Sequence, residues 1–238
     1  MLRRIAVLAG VLLASLAVTS SPQTPKPLRH LVYSFTFDSK QNGTVPNDPG
    51  TTGASTYNGD MNDSGTITVD VMREGSDRGL VVVVSEQAKN TRSTDAATCA
   101  VYGNTDVVCE PGKRVNTEEY ALLRFLGANF VDPDKVDANG QWSVSENKGT
   151  TKMSAQYVIN TNDNGALAIS ETRHVVDTSQ GSTTFDAQTK LNYNGPKQVP
   201  TSVDEYGTER KNGGVTGIST TVYQTTLSLT SDSLTAKQ

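Results

Sequence analysis

The chain has 238 residues, of which 35% are hydrophobic and 6% aromatic, and carries 25 acidic against 21 basic side chains. A mildly acidic protein lacks the basic surface that nucleic acid requires. So few aromatic rings cannot form the two girdles of an integral outer-membrane barrel.

The chain opens MLRRIAVLAGVLLASLAVTSS, with Arg3 and Arg4 ahead of an uncharged apolar run from Ile5 to Val18 and small residues around Ala17 and Ser20. This pattern predicts a secretory signal peptide over residues 1–20. A spanning helix needs about 20 apolar residues, and this run stops sooner, at the Pro-rich linker of residues 21–29. The mature chain is therefore expected to carry no integral membrane span and to reside in the periplasm or outside the cell. Loss of Arg3 and Arg4 with no acid lowers the basic count from 21 to 19 against 25 acids, a formal charge of −6. Residues 30–238 are enough for one β-rich domain with a sizeable core.

HLVYSFTFD is the clearest strand, with Leu31, Tyr33, Phe35 and Phe37 on one face and Ser34, Thr36 and Asp38 on the other. Residues 39–65 are so rich in Gly, Asn, Asp, Thr and Pro that a flexible loop is expected there, either disordered or a mobile flap. Strands resume with TITVDVMRE and with LVVVVSE, which is apolar on both faces and is expected to be central in its sheet. In CAVYGNTDVVC, a three-residue loop at Gly103, Asn104 and Thr105 places Tyr102 opposite Asp106, Val101 opposite Val107 and Cys99 opposite Cys109. The cysteines then fall on a non-hydrogen-bonded pair, where strands come closest, and a cross-strand disulfide fits. A redox pair would need the two-residue spacing and helix N-terminus that lower a thiol pKa.

NTEEYALLRFLGANF predicts a helix over residues 116–129. Asn116 or Thr117 caps it, Glu118 and Glu119 occupy its first turn, and Tyr120, Leu122, Leu123, Phe125 and Leu126 supply an apolar stripe. The loop DPDKVDANG follows, whose Asp132, Asp134 and Asp137 are weak candidates for a calcium site and are otherwise solvated Asx-turn residues. The remainder reads as strands: QWSVSE, MSAQYVI, GALAISETRHVV, STTFDAQTKLNYN, PTSVDEYGTERK and GISTTVYQTTLSLTS. Within it, NTNDNGALAISE mimics a calcium-binding loop, with Glu171 at its last position. The flanks alternate like strands, however, and Asn164-Gly165 suits a tight hairpin turn, so the turn is the expected reading and no metal is assigned.

Catalytic signatures are absent. His30 and His174 have no partner serine in an elbow motif, and the odd spacing of Glu171 and His174 sends them to opposite faces of a strand. No cofactor motif appears, and none is expected.

The order of elements over residues 30–230, with RFLGANF leading through VDANGQW into a strand meander, resembles the periplasmic lipoprotein-carrier-like half-barrels. That resemblance implies transport or binding and names no catalytic residue. The fold class expected is all-β: a long antiparallel curved sheet, or half-barrel, with one amphipathic helix packed on its concave face. Tyr33, Phe35, Phe37, Trp142 and Tyr157 are expected to line the core or an apolar ligand cavity. The function expected is non-enzymatic binding or carriage of a lipid-like or other apolar molecule, or of a protein partner. The alternatives are a secreted hydrolase with converging carboxylates and a structural or adhesive surface domain. No oligomeric state is legible.

Overall fold

Period-two alternation makes strands, and strands that are greasy on one face must bury that face together. The computed structural model of the protein shows how this is done. It describes residues 26–46, 53–75, 79–90, 93–102, 106–127, 130–179, 181–213 and 217–234, so the signal-peptide segment 1–20 lies outside the described residues.

Five strands precede the helix: β1 (Arg29–Pro46), β2 (Ala54–Glu74), β3 (Leu80–Ala88), β4 (Thr94–Val101) and β5 (Val107–Cys109). After α1 (Thr117–Leu123) come β6 (Gln141–Lys148), β7 (Thr151–Asp163), β8 (Ala166–Asp177), β9 (Ser182–Asn194), β10 (Val199–Asn212) and β11 (Ile218–Asp232). Together they form one antiparallel sheet of 11 strands in the order β5-β4-β3-β2-β1-β11-β10-β9-β8-β7-β6. The two meanders join where the first and last strands pair, with Phe35 opposite Leu227. The segment carrying α1 runs from one edge of the sheet to the other. The sheet curls until those edges approach at one end, where the Lys148 ammonium meets the Asp106 carboxylate.

The fold is thus the all-β curved sheet with one short helix expected from the sequence. On β1, Leu31, Tyr33, Phe35 and Phe37 are buried while Ser34, Thr36 and Asp38 face water. Three elements differ from expectation. Residues 39–46 and 54–65 are not a flexible loop but the outer halves of β1 and β2, paired residue for residue from Ser39 opposite Met61 to Pro46 opposite Ala54. Both faces of that arm are largely exposed, so no period-two pattern marked it in the sequence. LVVVVSE is an inner strand, yet it stands third from the sheet edge and not at the centre. Val82 and Val84 are buried, whereas Val81 and Val83 are only half-buried on the outer face.

The helix is also shorter than 116–129. Asn116 is its N-cap, and the Asn116 amide N–H donates to the Glu119 carboxylate at 2.7 Å. Past Leu123 the chain tightens into i→i+3 bonds, Phe125 N–H to Leu122 O (3.1 Å) and Leu126 N–H to Leu123 O (3.2 Å). Gly127 then takes φ 101°, a conformation open to glycine, and turns the chain away.

Cys99 and Cys109 are opposite one another and disulfide-bonded, with Cα atoms 3.9 Å apart. The hydrogen-bonded pairs flanking them, Tyr102 N–H to Asp106 O and Glu110 N–H to Thr98 O, leave the cysteines on a close non-hydrogen-bonded pair. Closing so short a loop is worth about 2–3 kcal/mol. The Cys99→Ala/Cys109→Ala double variant is therefore expected to melt roughly 4–12 °C below the parent in a thermal scan under oxidising conditions.

Candidate functional site

Cross-strand partners share a face, so the register lays out the concave surface row by row. One row holds Phe35, Leu227, Val203, Leu191, Ile169 and Ile159, all apolar. Phe125, Leu126 and Phe130 close over this half. Phe130 sits edge-on to Phe125, Tyr157, Tyr193 and Trp142 at centroid distances of 4.9–5.8 Å.

The next row changes character. It runs Phe37, Thr225, Glu205, Thr189, Glu171, Tyr157 and Trp142, each directly opposite the next. Two carboxylates therefore point into the concave side, where strand periodicity calls for apolar residues. Arg124, just past α1, is delivered onto them from above. Its Nη1 lies 2.6 Å from Glu171 Oε1, its Nη2 contacts Glu205 Oε2, and all three side chains are sealed from solvent. The Tyr157 hydroxyl donates to Glu171 at 3.0 Å and the Tyr223 hydroxyl to Glu205 at 2.7 Å. Thr189 Oγ1 lies between the acids, 2.7 Å from Glu171 and 3.0 Å from Glu205, and gives its one proton to the nearer.

Burial opposes the charge on Arg124 and on Glu171, and mutual pairing overcomes it. For Arg124, burial works against the guanidinium, yet Glu171 and Glu205 hold its pKa above the usual value. For Glu171, burial works toward protonation, but Arg124, Arg173 and the Thr189 hydrogen bond hold its carboxyl below the usual range. An acid held ionised, neutralised and out of contact with water cannot serve as a general acid in hydrolysis.

One row further on, Tyr223, Gly207, Ala187, Arg173 and Ala155 lie side by side. The small residues make room for the large ones: a Cβ on Gly207 would sit 2.4 Å from the Tyr223 ring. Arg173 is stacked 4.6 Å from Phe185 and 5.5 Å from Tyr120, with Nη2 3.9 Å from Glu205. Beyond it Phe185, Val175 and Met153 form a half-buried apolar row. The start of α1 stands off this floor and leaves a cleft of about 380 Å³, lined by Val115, Thr117, Tyr120, Arg173, Val175, Phe185, Glu205 and Tyr223. On the other side of Tyr120 a smaller opening of about 180 Å³ reaches Met153, Glu146 and Lys148.

Of the two places expected for Tyr33, Phe35, Phe37, Trp142 and Tyr157, core or ligand cavity, they occupy the core. Tyr33, Phe35 and Phe37 are buried and belong to the packed core, and none lines this cleft. Trp142 and Tyr157 stack at 4.8 Å, also in the core, and border a mostly polar groove of about 580 Å³ at the β6–β7 edge. The cleft under α1 lies at Tyr120, Arg173, Val175, Phe185 and Tyr223, of which only Tyr120, in the helix stripe, stood out in the sequence. Arg173 carried a signal, since it shares the phase of the inward-facing Leu167, Ile169 and Glu171.

Asp132 and Asp137 accept backbone N–H bonds from Asp134 and Asn139, as Asx turns, at 3.1 and 2.8 Å. Among the described residues no group of three or more His, Cys, Asp or Glu is placed to hold a metal ion, so this loop does not gather its acids. In NTNDNGALAISE, Asn164 (φ 51°) and Gly165 (φ 87°) form the β7–β8 turn, and Glu171 is committed to Arg124. His174 faces the opposite side from Glu171 and pairs with Asp186 at 2.7 Å. Among the described residues no helix is long and apolar enough to cross a membrane.

No family model matches the chain, and no curated protein matches it. Among solved structures the chain is similar to lipovitellin, from a structure described as lipid-protein interactions in lipovitellin, at 9% identity and a TM-score of 0.39. The match covers 90% of this chain and 26% of that one, so the chain spans about a quarter of that structure's length, and a likeness of this degree carries no inference about ligand.

Proposed function

We propose that the protein is exported and binds an apolar, lipid-like molecule without chemically changing it, in the cleft between α1 and the concave face. The observation that supports this is the cleft of about 380 Å³ walled by Val115, Tyr120, Val175, Phe185 and Tyr223. Its volume falls within the ~300–1,000 Å³ of small-molecule sites. Asn116, Thr117, Arg173, Thr183 and Glu209 line the cleft as well, which suits an apolar ligand that also carries a polar group. Export is supported by the signal-peptide pattern and by the Cys99–Cys109 disulfide, a bond that persists in oxidising compartments. The hydrolase alternative loses its motivation, because the converging acids Glu171 and Glu205 are consumed by Arg124.

Native mass spectrometry of protein purified without detergent from an exporting host tests this reading. A lipid-sized excess mass that disappears on solvent extraction is the expected result. Val175→Trp, which fills the cleft from its half-buried floor, is expected to lower occupancy at least tenfold while leaving the melting temperature within a few degrees of the parent. A clean mass equal to the chain less the two hydrogens of the disulfide, together with no uptake of a fluorescent fatty-acid probe, would overturn it.

A further inference from the structure

Among the described residues the outer half of β2 is a sheet edge. On one side β2 pairs with β1 along the arm, but on the other it meets β3 only from Gly65 onward. Among the described residues no strand pairs with that second side between Thr56 and Asn62. Two bonds show which backbone groups face outward: Ser64 O accepts from Lys89 N–H at 2.9 Å, and Asn62 O accepts from the Asn90 side chain at 2.8 Å. Alternate residues of a strand aim N–H and C=O the same way. Those of Thr56, Asn58 and Asp60 therefore project outward as well, and every residue from Ala54 to Asn62 is exposed.

Proteins protect such edges with lysine, proline, a bulge or a cover, because an unpaired edge templates another strand. The opposite edge, β6, ends in Glu146 and Lys148, whereas ASTYNGDMN holds one charge, Asp60, with no lysine and no proline. Its register with β1 runs without a bulge. Approach is also unobstructed. A Cβ on Gly59 would meet nothing within 4 Å, and the Tyr57 ring leans the other way, across Gly43. Glycine in a strand commonly marks a place where a second backbone comes close.

We infer that this edge pairs with the same edge of a second copy, antiparallel, giving a two-fold dimer. An antiparallel edge is complementary to itself, so such a contact closes on two chains and does not propagate. With Asn58 at the two-fold axis, the single acid Asp60 faces Thr56 of the other copy and meets no like charge. No residue of β2 lines the cleft, so the inference stands apart from the ligand reading.

Size-exclusion chromatography with light scattering, over a hundredfold range of concentration, is the test. The parent is expected to shift from monomer to dimer mass. Asn58→Lys adds a charge at the contact, and Asn58→Pro removes an outward donor while sparing the bonds to β1. Each is expected to weaken dimerisation at least tenfold, and Asn58→Lys to do so with an unchanged melting temperature for the monomer. A parent that stays monomeric throughout would overturn the inference, as would a dimer that both variants leave intact.

Discussion

Replacing Arg124 with methionine is expected to destabilise the protein by about 3–5 kcal/mol, the range for removing one partner from a buried ion pair. The reason lies in what is left behind. Glu171 and Glu205 sit two strands apart on either side of Thr189, with side chains at 0% and 1% exposure. Without the guanidinium they become two like charges in a medium that solvates neither, with only Arg173, 3.9 Å from Glu205, to offset them, and proton uptake is favoured. The thermal midpoint is expected to fall by roughly 6–20 °C, with the larger loss near neutral pH. Combining Arg124→Met with Glu171→Gln and Glu205→Gln removes the two stranded acids but leaves Arg173 without its carboxylate, and is expected to recover part of that loss. A triple variant no more stable than the single would show that Arg124 acts through its packing on Phe125, 4.4 Å away, and not through charge. The sign of the pH dependence follows from Glu171, whose folded pKa is depressed. Its contribution is present above the unfolded value of about 4.3 and is lost as pH falls through the lower folded value. The parent is thus expected to lose stability in acid over that window, and the triple variant to lose less.

The strands were legible because burial on one face imposes period two, as in Tyr33, Phe35 and Phe37 or in Ile67 and Val69. The disulfide was legible for a related reason: a hairpin loop of known length fixes every pair outward from it, and Cys99 falls opposite Cys109. The arm at residues 39–46 and 54–62 was not. Its residues are largely exposed on both faces, so its strands are fixed by backbone pairing, β2 to β1 and β1 to β11, which leaves no mark on side-chain type. The charged row was legible only in part. Glu171 follows Leu167 and Ile169 in the inward phase of β8, and Glu205 follows Val203 in that of β10, so each breaks an apolar pattern. A polar residue in an inward phase asks for a partner, but which partner depends on a helix that arrives from 47 residues away in sequence. The cleft was illegible for the same reason: it is the space left by α1 over strands β8–β10, and spacing within any one element does not encode it.

At the other end of the pH scale, three tyrosines are expected to drive a cooperative alkaline unfolding that begins above about pH 10. Of the eight tyrosines in the chain, Tyr33, Tyr157, Tyr193 and Tyr223 are buried, and the hydroxyls of Tyr33, Tyr193 and Tyr223 donate to Pro200 O (2.9 Å), Gly127 O (2.9 Å) and Glu205 (2.7 Å). Burial raises the pKa of all three far above the usual value, and the Glu205 carboxylate raises that of Tyr223 further. A phenol with a raised folded pKa stabilises the folded state fully below its unfolded pKa of about 10, and that stability is lost as pH rises toward the folded value. Each such group costs about 1.4 kcal/mol per pH unit, so the three together cost about 4 kcal/mol per unit, enough to exhaust a stability of ~5–15 kcal/mol within a few units. Absorbance of the phenolate against pH, recorded beside circular dichroism, is the test. Tyr33, Tyr193 and Tyr223 are expected to ionise in one step with loss of the dichroism. Tyr33→Phe, which removes the ionisable group and keeps the ring, is expected to move that step to higher pH and to lower its slope by about a third. If the buried rings ionise gradually, with dichroism unchanged, then the closed half of the concave face opens to hydroxide without unfolding, and the packing around Phe130 is far looser than its four edge-on ring contacts require.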